Sequence, residues 1–399
     1  FMHQQLKAQQ LVYYGLPGLP LAMLGLPLYV YLPTYYSEGL GISLTAVGLA
    51  LLIARALDVL TDPIIGVLND HLPTSEWRRK SFILAGIPVL LIGLNFLLRP
   101  ADGVGALYLF GWSFITYLGW TLINIPWLAW GAEISPDYHE KSALASSREV
   151  FAVIGTVAVI SLPVLLSIES ELDKTLGLLA NLVTFLLPLA LIPLLWKLSD
   201  RTRTQDETGK ISNINWKQLG FIKKHPAIKR LLPAYFINSF ANALPATLFI
   251  LFVTHVLKMP DQLGVLLVCY FLAAIAGLPF WLYMARKTDK HRSWSLALII
   301  AIGSFIWVPL LGEGDFYAFL VICLMSGFAL GADVVLPASI QADIAQDMTF
   351  EEAENLSGDS LSRQGMTGLL FGLWGLLTKL ALALAVGIAF PLLDSVGLN

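Results

Sequence analysis

Long apolar runs, broken only by short polar connections, set the pattern of this chain. A membrane-crossing helix needs about 20 apolar residues. Runs of about that length or more fall at residues 12–36, 43–69, 81–98, 105–134, 143–168, 175–198, 230–256, 262–284, 293–312, 316–344 and 362–392. They predict eleven transmembrane helices in an all-α, polytopic membrane protein. Strand-type alternation is absent, which excludes a β-barrel. Several runs contain helix breakers: Pro17, Pro20, Pro27 and Pro33 in the first, Pro126 in the fourth and Pro245 in the seventh. Such breakers are tolerated inside helix bundles and often mark moving or ligand-lining segments.

Composition agrees with that pattern. Of the 399 residues, 56% are hydrophobic and 13% charged, against about 25% charged in soluble proteins. The net charge of -3 gives no reason to expect a nucleic-acid partner. Cys269 and Cys323 both fall in apolar runs and form no metal-ligand or disulfide pattern. Lys and Arg assign the orientation, because cytoplasmic loops carry the excess of both. Arg78, Arg79 and Lys80 lie in one connection, seven basic residues between 199 and 229 in another, and Arg286, Lys287, Lys290 and Arg292 in a third. The alternate connections are nearly bare of them, so the N-terminus is expected in the cytoplasm.

The 199–229 segment separates six spans from five. Its first part, to Asn213, reads as a flexible linker; Trp216 to His225 reads as an amphipathic surface helix or a basic tether. The expected organisation is therefore an N-terminal six-helix half (1–198), a cytoplasmic linker (199–229) and a C-terminal half (230–399) with five spans visible. Two halves about a central loop is the plan of a secondary transporter, and on that plan a twelfth span is expected beyond Asn399.

Against the apolar background one pair of residues stands out. Asp58 and Asp62 lie four residues apart inside the second span, in Arg55-Ala-Leu-Asp58-Val-Leu-Thr-Asp62-Pro63. They therefore share one helix face, and an ionised carboxylate at the bilayer centre costs about 2.5–3.5 kcal/mol on insertion scales. Such a pair reads as an intramembrane cation or proton site. A structural salt bridge between Asp58 and Arg55, one turn away, is the alternative.

The same segment, Ala54 to Gly66 followed by Asn69-Asp70, resembles the second span of the glycoside–pentoside–hexuronide:cation symporter family, the melibiose permease-like branch of the major facilitator superfamily. The resemblance continues through Thr121-Leu-Ile-Asn124-Ile-Pro126-Trp127, Gly131-Ala-Glu133-Ile-Ser-Pro-Asp137-Tyr138-His-Glu140, Arg148-Glu149, Ala342-Asp343, Ser362-Arg363-Gln-Gly365 and Leu376-Leu-Thr-Lys379. It implies a major facilitator fold of two six-helix halves. It also implies that Thr121 and Asn124, on one face of the fourth span, complete the cation site of Asp58 and Asp62, with Na+ or H+ as coupling ion and no other cofactor. Asp58 and Asp62 against Lys379 leave one negative charge, which one monovalent cation neutralises; if Arg55 also points inward, the set is neutral without one. Asp70, Glu133, Asp137, Arg148, Glu149, Asp343 and Arg363 are expected to form a cytoplasmic gate.

Sugar carriers of this family place an Asp on the first and another on the fourth span. Here Ala22 and Asn124 stand at those positions, so a simple galactoside is not the expected substrate. Ala22, Tyr29, Trp120, Asn124, Trp127, Arg148 and Trp374 are the candidate cavity residues, with Trp130 a further aromatic near them. The expected function is cation-coupled symport of a small organic solute by alternating access, by a monomer in the plasma membrane, or the inner membrane of a bacterium. The first alternative is a lysolipid or other amphiphile symporter, since the animal lysolipid symporters share these relatives. The second is a non-transporting sensor or scaffold. An enzyme is not expected: no His-Glu-x-x-His, nucleophile-elbow or Walker sequence is present.

Overall fold

A computed structural model describes residues 7–25, 27–71, 77–134, 138–168, 171–198, 225–355 and 360–395. Side chains are described for these residues except at 67, 70, 71, 78, 132, 133, 138, 139, 141, 142, 342, 345–355 and 360–372. The proposed surface helix from Trp216 lies outside the described residues up to His225.

Eleven helices among the described residues are long and apolar enough to cross a membrane. The first, α1, is segmented: Ala8–Gly15, Gly18–Ala22, then Leu32–Thr34 between π-helical turns at Pro27–Tyr31 and Tyr35–Gly39. The rest are α2 (Leu44–His71), α3 (Arg78–Leu98), α4 (Ala106–Ile134), α5 (Tyr138–Leu165), α6 (Leu172–Lys197), α7 (Pro226–Leu251), α8 (Leu263–Lys287), α9 (Lys290–Phe305), α10 (Phe316–Asn355) and α11 (Ser360–Ser395). Hydropathy locates these spans to within a few residues but undershoots α10, which runs past 344 to Asn355. The apolar run ends there, yet no Gly or Pro follows until Gly358, so nothing stops the helix.

The helices are apolar on both faces. On α6, Leu176, Leu179, Ala180, Val183, Leu187, Leu191 and Leu194 recur at helical spacing and are buried, while Phe185, Leu189, Ile192 and Trp196 are exposed. In water that outer face would be polar; here its solvent is lipid. Burial of apolar area therefore cannot hold the bundle together as it does in a soluble protein, and close backbone approach and interhelical hydrogen bonds take over.

The chain clusters into two compact units. One comprises residues 1–211 with 382–399, the other 212–381. In the first, α3 packs on α4 and α4 on α2, while α1 packs on α5. Small residues set these contacts: a Cβ added at Gly86 would lie 2.7 Å from Ile123 Cγ1, and one at Gly18 2.7 Å from the Arg148 carbonyl oxygen. Four prolines break α1 into segments, and polar ties hold the segments. Ser147 Oγ donates to the Leu11 carbonyl at 2.7 Å, and Trp127 Nε1 to the Tyr14 carbonyl at 3.0 Å. The Tyr36 hydroxyl donates to the Leu97 carbonyl at 2.9 Å. The end of α11 also packs on α2, with Gly387 against Leu52 and Gly48 against Phe390. There Asp394 Oδ2 accepts from the Thr45 hydroxyl at 2.5 Å and from its amide at 3.2 Å.

In the second unit α10 is the centre. It packs on α8 and α9, and more lightly on α7. Its Ala329, Ala332, Leu336 and Ile340 form a core with Ile228 and Leu231 of α7, Trp281 of α8 and Trp294 and Ala297 of α9. Trp281 Nε1 donates to the Phe328 carbonyl at 2.8 Å.

Two glycines of α4 test the close-approach argument. A Cβ at Gly119 would overlap the Leu90 backbone of α3, whereas one at Gly111 meets nothing within 4 Å. Gly119→Val should destabilise the protein by about 1–3 kcal/mol by overpacking, read as a lowered thermal denaturation midpoint in detergent. Gly111→Val should leave the midpoint unchanged or slightly higher.

Candidate cation site

Arg55, Asp58 and Asp62 fall at i, i+3 and i+7 on α2, one stripe of the helix, and that stripe meets α4. Asp58 is fully buried and Arg55 nearly so, while Asp62 is half-buried. Tyr117 and Thr121, one turn apart on α4, face them, and both are buried. Asp62 precedes Pro63, which has no N–H to donate to the Val59 carbonyl one turn back.

The Thr121 hydroxyl bridges the two acids. Its oxygen lies 3.0 Å from Asp58 Oδ1 and 2.9 Å from Asp62 Oδ1. A hydroxyl carries one proton, so it donates one full hydrogen bond and cannot donate a second. The second oxygen–oxygen approach is repulsive unless a further proton or a cation lies between the oxygens. The three side chains thus converge on a point where a further proton or a cation is favourable. They offer oxygen atoms alone, which suits a hard cation or a proton.

Arg55 supplies part of the compensation. Its Nη1 lies 3.4 Å from Asp58 Oδ2, a long pairing. Its guanidinium carbon is 3.9 Å from the Tyr117 ring centre and 4.9 Å from that of Tyr29. Two aromatic faces therefore share the cation with one carboxylate. The buried Nη2 has no hydrogen-bond partner among the described residues. Arg55 is thus turned inward, and the three charges of this stripe sum to minus one.

The other candidates distribute as follows. Asn124 is half-buried one turn beyond Thr121. Lys379 is half-buried on α11 in the second unit. Ala22 closes the second segment of α1. Trp120 is half-buried on α4 beside Thr121. Trp127 is committed to α1: its indole donates to Tyr14, the Tyr14 hydroxyl donates back to the Trp127 carbonyl at 3.4 Å, and the rings lie 5.6 Å apart. Trp130 is buried, with Lys80 Nζ 5.6 Å from its ring centre. Trp374 stacks on Tyr235 at 3.5 Å within the second unit.

Of the gate residues, Arg148 pairs with its neighbour Glu149, Nη2 to Oε1 at 2.6 Å. Asp343 pairs with Lys290 of α9 at 2.5 Å. The side chains of Asp70, Glu133, Asp137 and Arg363 lie outside the described residues. Two structural features went unread in the sequence. Tyr117 beside Arg55 gives no local signal, because an aromatic in an apolar run is ordinary. Asp333, a carboxylate inside the tenth span, gives the same signal as Asp58.

A family model described as MFS/sugar transport protein matches residues 13–399. The chain is similar to the uncharacterised symporter YnaJ of Bacillus subtilis, 25% identical over 379 residues that cover 92% of this chain and 78% of that protein. It is also similar to the sodium-dependent lysophosphatidylcholine symporter 1 of Mus musculus, 21% identical over 430 residues covering 98% of this chain and 78% of that one. A crystal structure of the nucleoside transporter NupG superposes with a TM-score of 0.70 at 10% identity, covering 98% of this chain and 93% of that chain. At that identity the likeness shows the fold alone.

The Arg55–Asp58 pair makes a testable cycle. Arg55→Leu leaves Asp58 buried beside Asp62 without its cation and should cost about 3–5 kcal/mol, seen as a large fall in thermal midpoint. Asp58→Asn on that background should recover most of the loss. A single variant no worse than the double would mean that Arg55 does not compensate Asp58.

Proposed function

The chain belongs to the MFS/sugar transport family, an all-α, multi-pass membrane transporter of small molecules and not an enzyme, and from that premise we propose how it is energised. A single monovalent cation, Na+ or H+, binds between Asp58, Asp62 and Thr121 and drives uphill movement of an organic solute by alternating access. The observation that carries this reading is the single Thr121 hydroxyl set between two carboxylate oxygens at 3.0 and 2.9 Å. With Arg55 inward, the three charged residues of the stripe carry a formal charge of minus one, which favours a cation there over an anion. Asn124 serves as a neutral ligand or as a substrate contact, drawn in when the ion arrives.

The order follows from the charges. The cation binds first and removes the electrostatic penalty; substrate then binds near the midplane, and the two halves rock about it. The basic connections are placed in the cytoplasm with the N-terminus, in the plasma membrane or the inner membrane of a bacterium, and the working unit is a monomer. With Ala22 and Asn124 where sugar carriers use acids, a galactoside lacks its charged grips. A substrate of lower polarity is favoured. An amphiphile is the second reading, supported by the segmented, apolar α1 and by similarity, over nearly the whole chain, to a protein named as a lysophosphatidylcholine symporter.

Binding of radioactive sodium to the purified protein tests the site directly. Asp58→Asn and Asp62→Asn should each abolish it. Thr121→Val should weaken it about tenfold or more, the worth of a hydrogen bond to a charged group, and Thr121→Ser should restore it. If protons are the coupling ion, sodium does not bind, and the same acid variants should instead abolish pH-driven uptake in liposomes offered a panel of glycosides, organic acids and lysolipids. Ion binding, or accumulation of substrate against its gradient, that survives in both acid variants overturns the reading.

A further inference from the structure

The second unit contains an intramembrane carboxylate that the site above does not use. Asp333 sits on α10, inside its membrane-crossing stretch Phe316–Gln341. Asp343, ten residues further on, marks the basic end of the helix through its ion pair with Lys290. At 1.5 Å per residue Asp333 therefore lies about 15 Å deeper, about half the thickness of the hydrocarbon core. It is half-buried. Each of its oxygens has one donor: Oδ2 accepts from Asn242 Nδ2 of α7 at 2.5 Å, and Oδ1 from Trp294 Nε1 of α9 at 2.5 Å.

The chemistry of those donors is informative. An ionised carboxylate has about four acceptor positions, and two are filled. Both donors present hydrogen, the positive end of their dipole. A metal cation approaching this carboxylate would meet N–H groups where it needs oxygen atoms. A proton needs only one remaining lone pair. No Lys or Arg pairs with Asp333 among the described residues. A tie between α7, α9 and α10 alone would be served by the neutral carbonyl of an Asn or Gln, without the cost of a charge in the membrane.

We propose that Asp333 is a second ion-binding carboxylate of this transporter, selective for a proton over a metal cation. Its surroundings are otherwise electrically quiet. From α7 it faces the neutral Asn242 and from α9 the neutral Trp294. From α8 comes the phenol of Tyr270, within electrostatic reach of Asp333, with Cys269 beside it in sequence. On α10 itself the nearest titratable residues are Cys323 and Asp343, each ten residues away. Helix α11, whose Leu373 and Trp374 reach this unit's core, carries Lys379 about a turn and a half beyond Trp374. Protonation removes the negative charge while leaving both oxygens able to accept, so the three helices stay tied as the charge changes.

The role of this proton in transport rests on the coupling reading above, but its existence does not, and neither does the test. The purified full-length protein in lipid nanodiscs is treated with dicyclohexylcarbodiimide, an apolar reagent that attacks protonated carboxyls, across a pH series with and without Na+. Modified peptides are read by mass spectrometry. Asp333 should be modified more at low pH than at high pH, and Na+ should not protect it. Asn242→Ala and Trp294→Phe remove donors that favour the charged form, so in each the labelling should persist to higher pH, about tenfold greater at a fixed pH. Absent or pH-independent labelling overturns the proposal, as does protection by Na+ or a titration unmoved by both variants. Loss of the sodium site at Asp58 and Asp62 would leave these outcomes unchanged, so the two readings fail separately.

Discussion

A carboxylate in a membrane must be compensated, and the first unit is organised around that requirement at Asp58. The acid is fully buried, and three groups from two helices answer it: Arg55 a turn before it, Thr121 across on α4, and Tyr117 behind the guanidinium. The ion pair is long at 3.4 Å, the guanidinium is shared with two rings, and one hydroxyl stands between two acids. Contacts shared in this way leave the balance of the stripe open to a ligand that binds one arrangement better than another.

The packing around the site follows from what lipid removes. With no hydrophobic driving force between helices, α3 and α4 approach through Gly86, Gly93 and Gly119, and α1 meets α5 through Gly15, Gly18 and Gly155. The close seat of α4 on α3 sets Thr121 and Tyr117 against α2, and the Tyr108 hydroxyl of α4 adds one bond to the Phe96 carbonyl of α3 at 2.8 Å. The first helix is the contrasting case. Its prolines release backbone groups and produce two π-helical turns, and side-chain bonds from Tyr14, Trp127, Ser147 and Tyr36 hold the pieces in place. Held at points instead of along a continuous ridge, α1 is the element of this unit best suited to shift during a cycle.

The spans were legible because hydropathy is a property of composition, and lipid enforces it along each helix. The acid pair was legible for the same reason in reverse, as a violation of that composition. The Asp58–Thr121–Asp62 bridge was foreshadowed by the resemblance, whereas the Arg55 cage depends on Tyr117 and Tyr29. No periodicity distinguishes a ring that faces a guanidinium from one that faces lipid. Trp127 shows the same ambiguity: the sequence offers it as a cavity aromatic, and the structure uses its indole to fasten α1. Helix ends were less legible: α10 outruns its apolar segment to Asn355, and no Gly or Pro follows until Gly358.

Charge balance also decides how far the two units can be understood separately. The stripe on α2 carries a formal charge of minus one. In the second unit, Asp333 has neutral donors on both oxygens among the described residues. Each unit then carries its own charge problem with its own kind of solution. In the first, carboxylate and hydroxyl oxygen atoms of Asp58, Asp62 and Thr121 are gathered together, a geometry that admits a metal ion or a proton. In the second, N–H groups hold a carboxylate, a geometry that suits a proton better than a metal ion. On the two proposals above, the transporter would respond to a metal-ion gradient and to pH through different residues, because the atoms that meet each carboxylate, more than the carboxylates themselves, decide which cation is accepted.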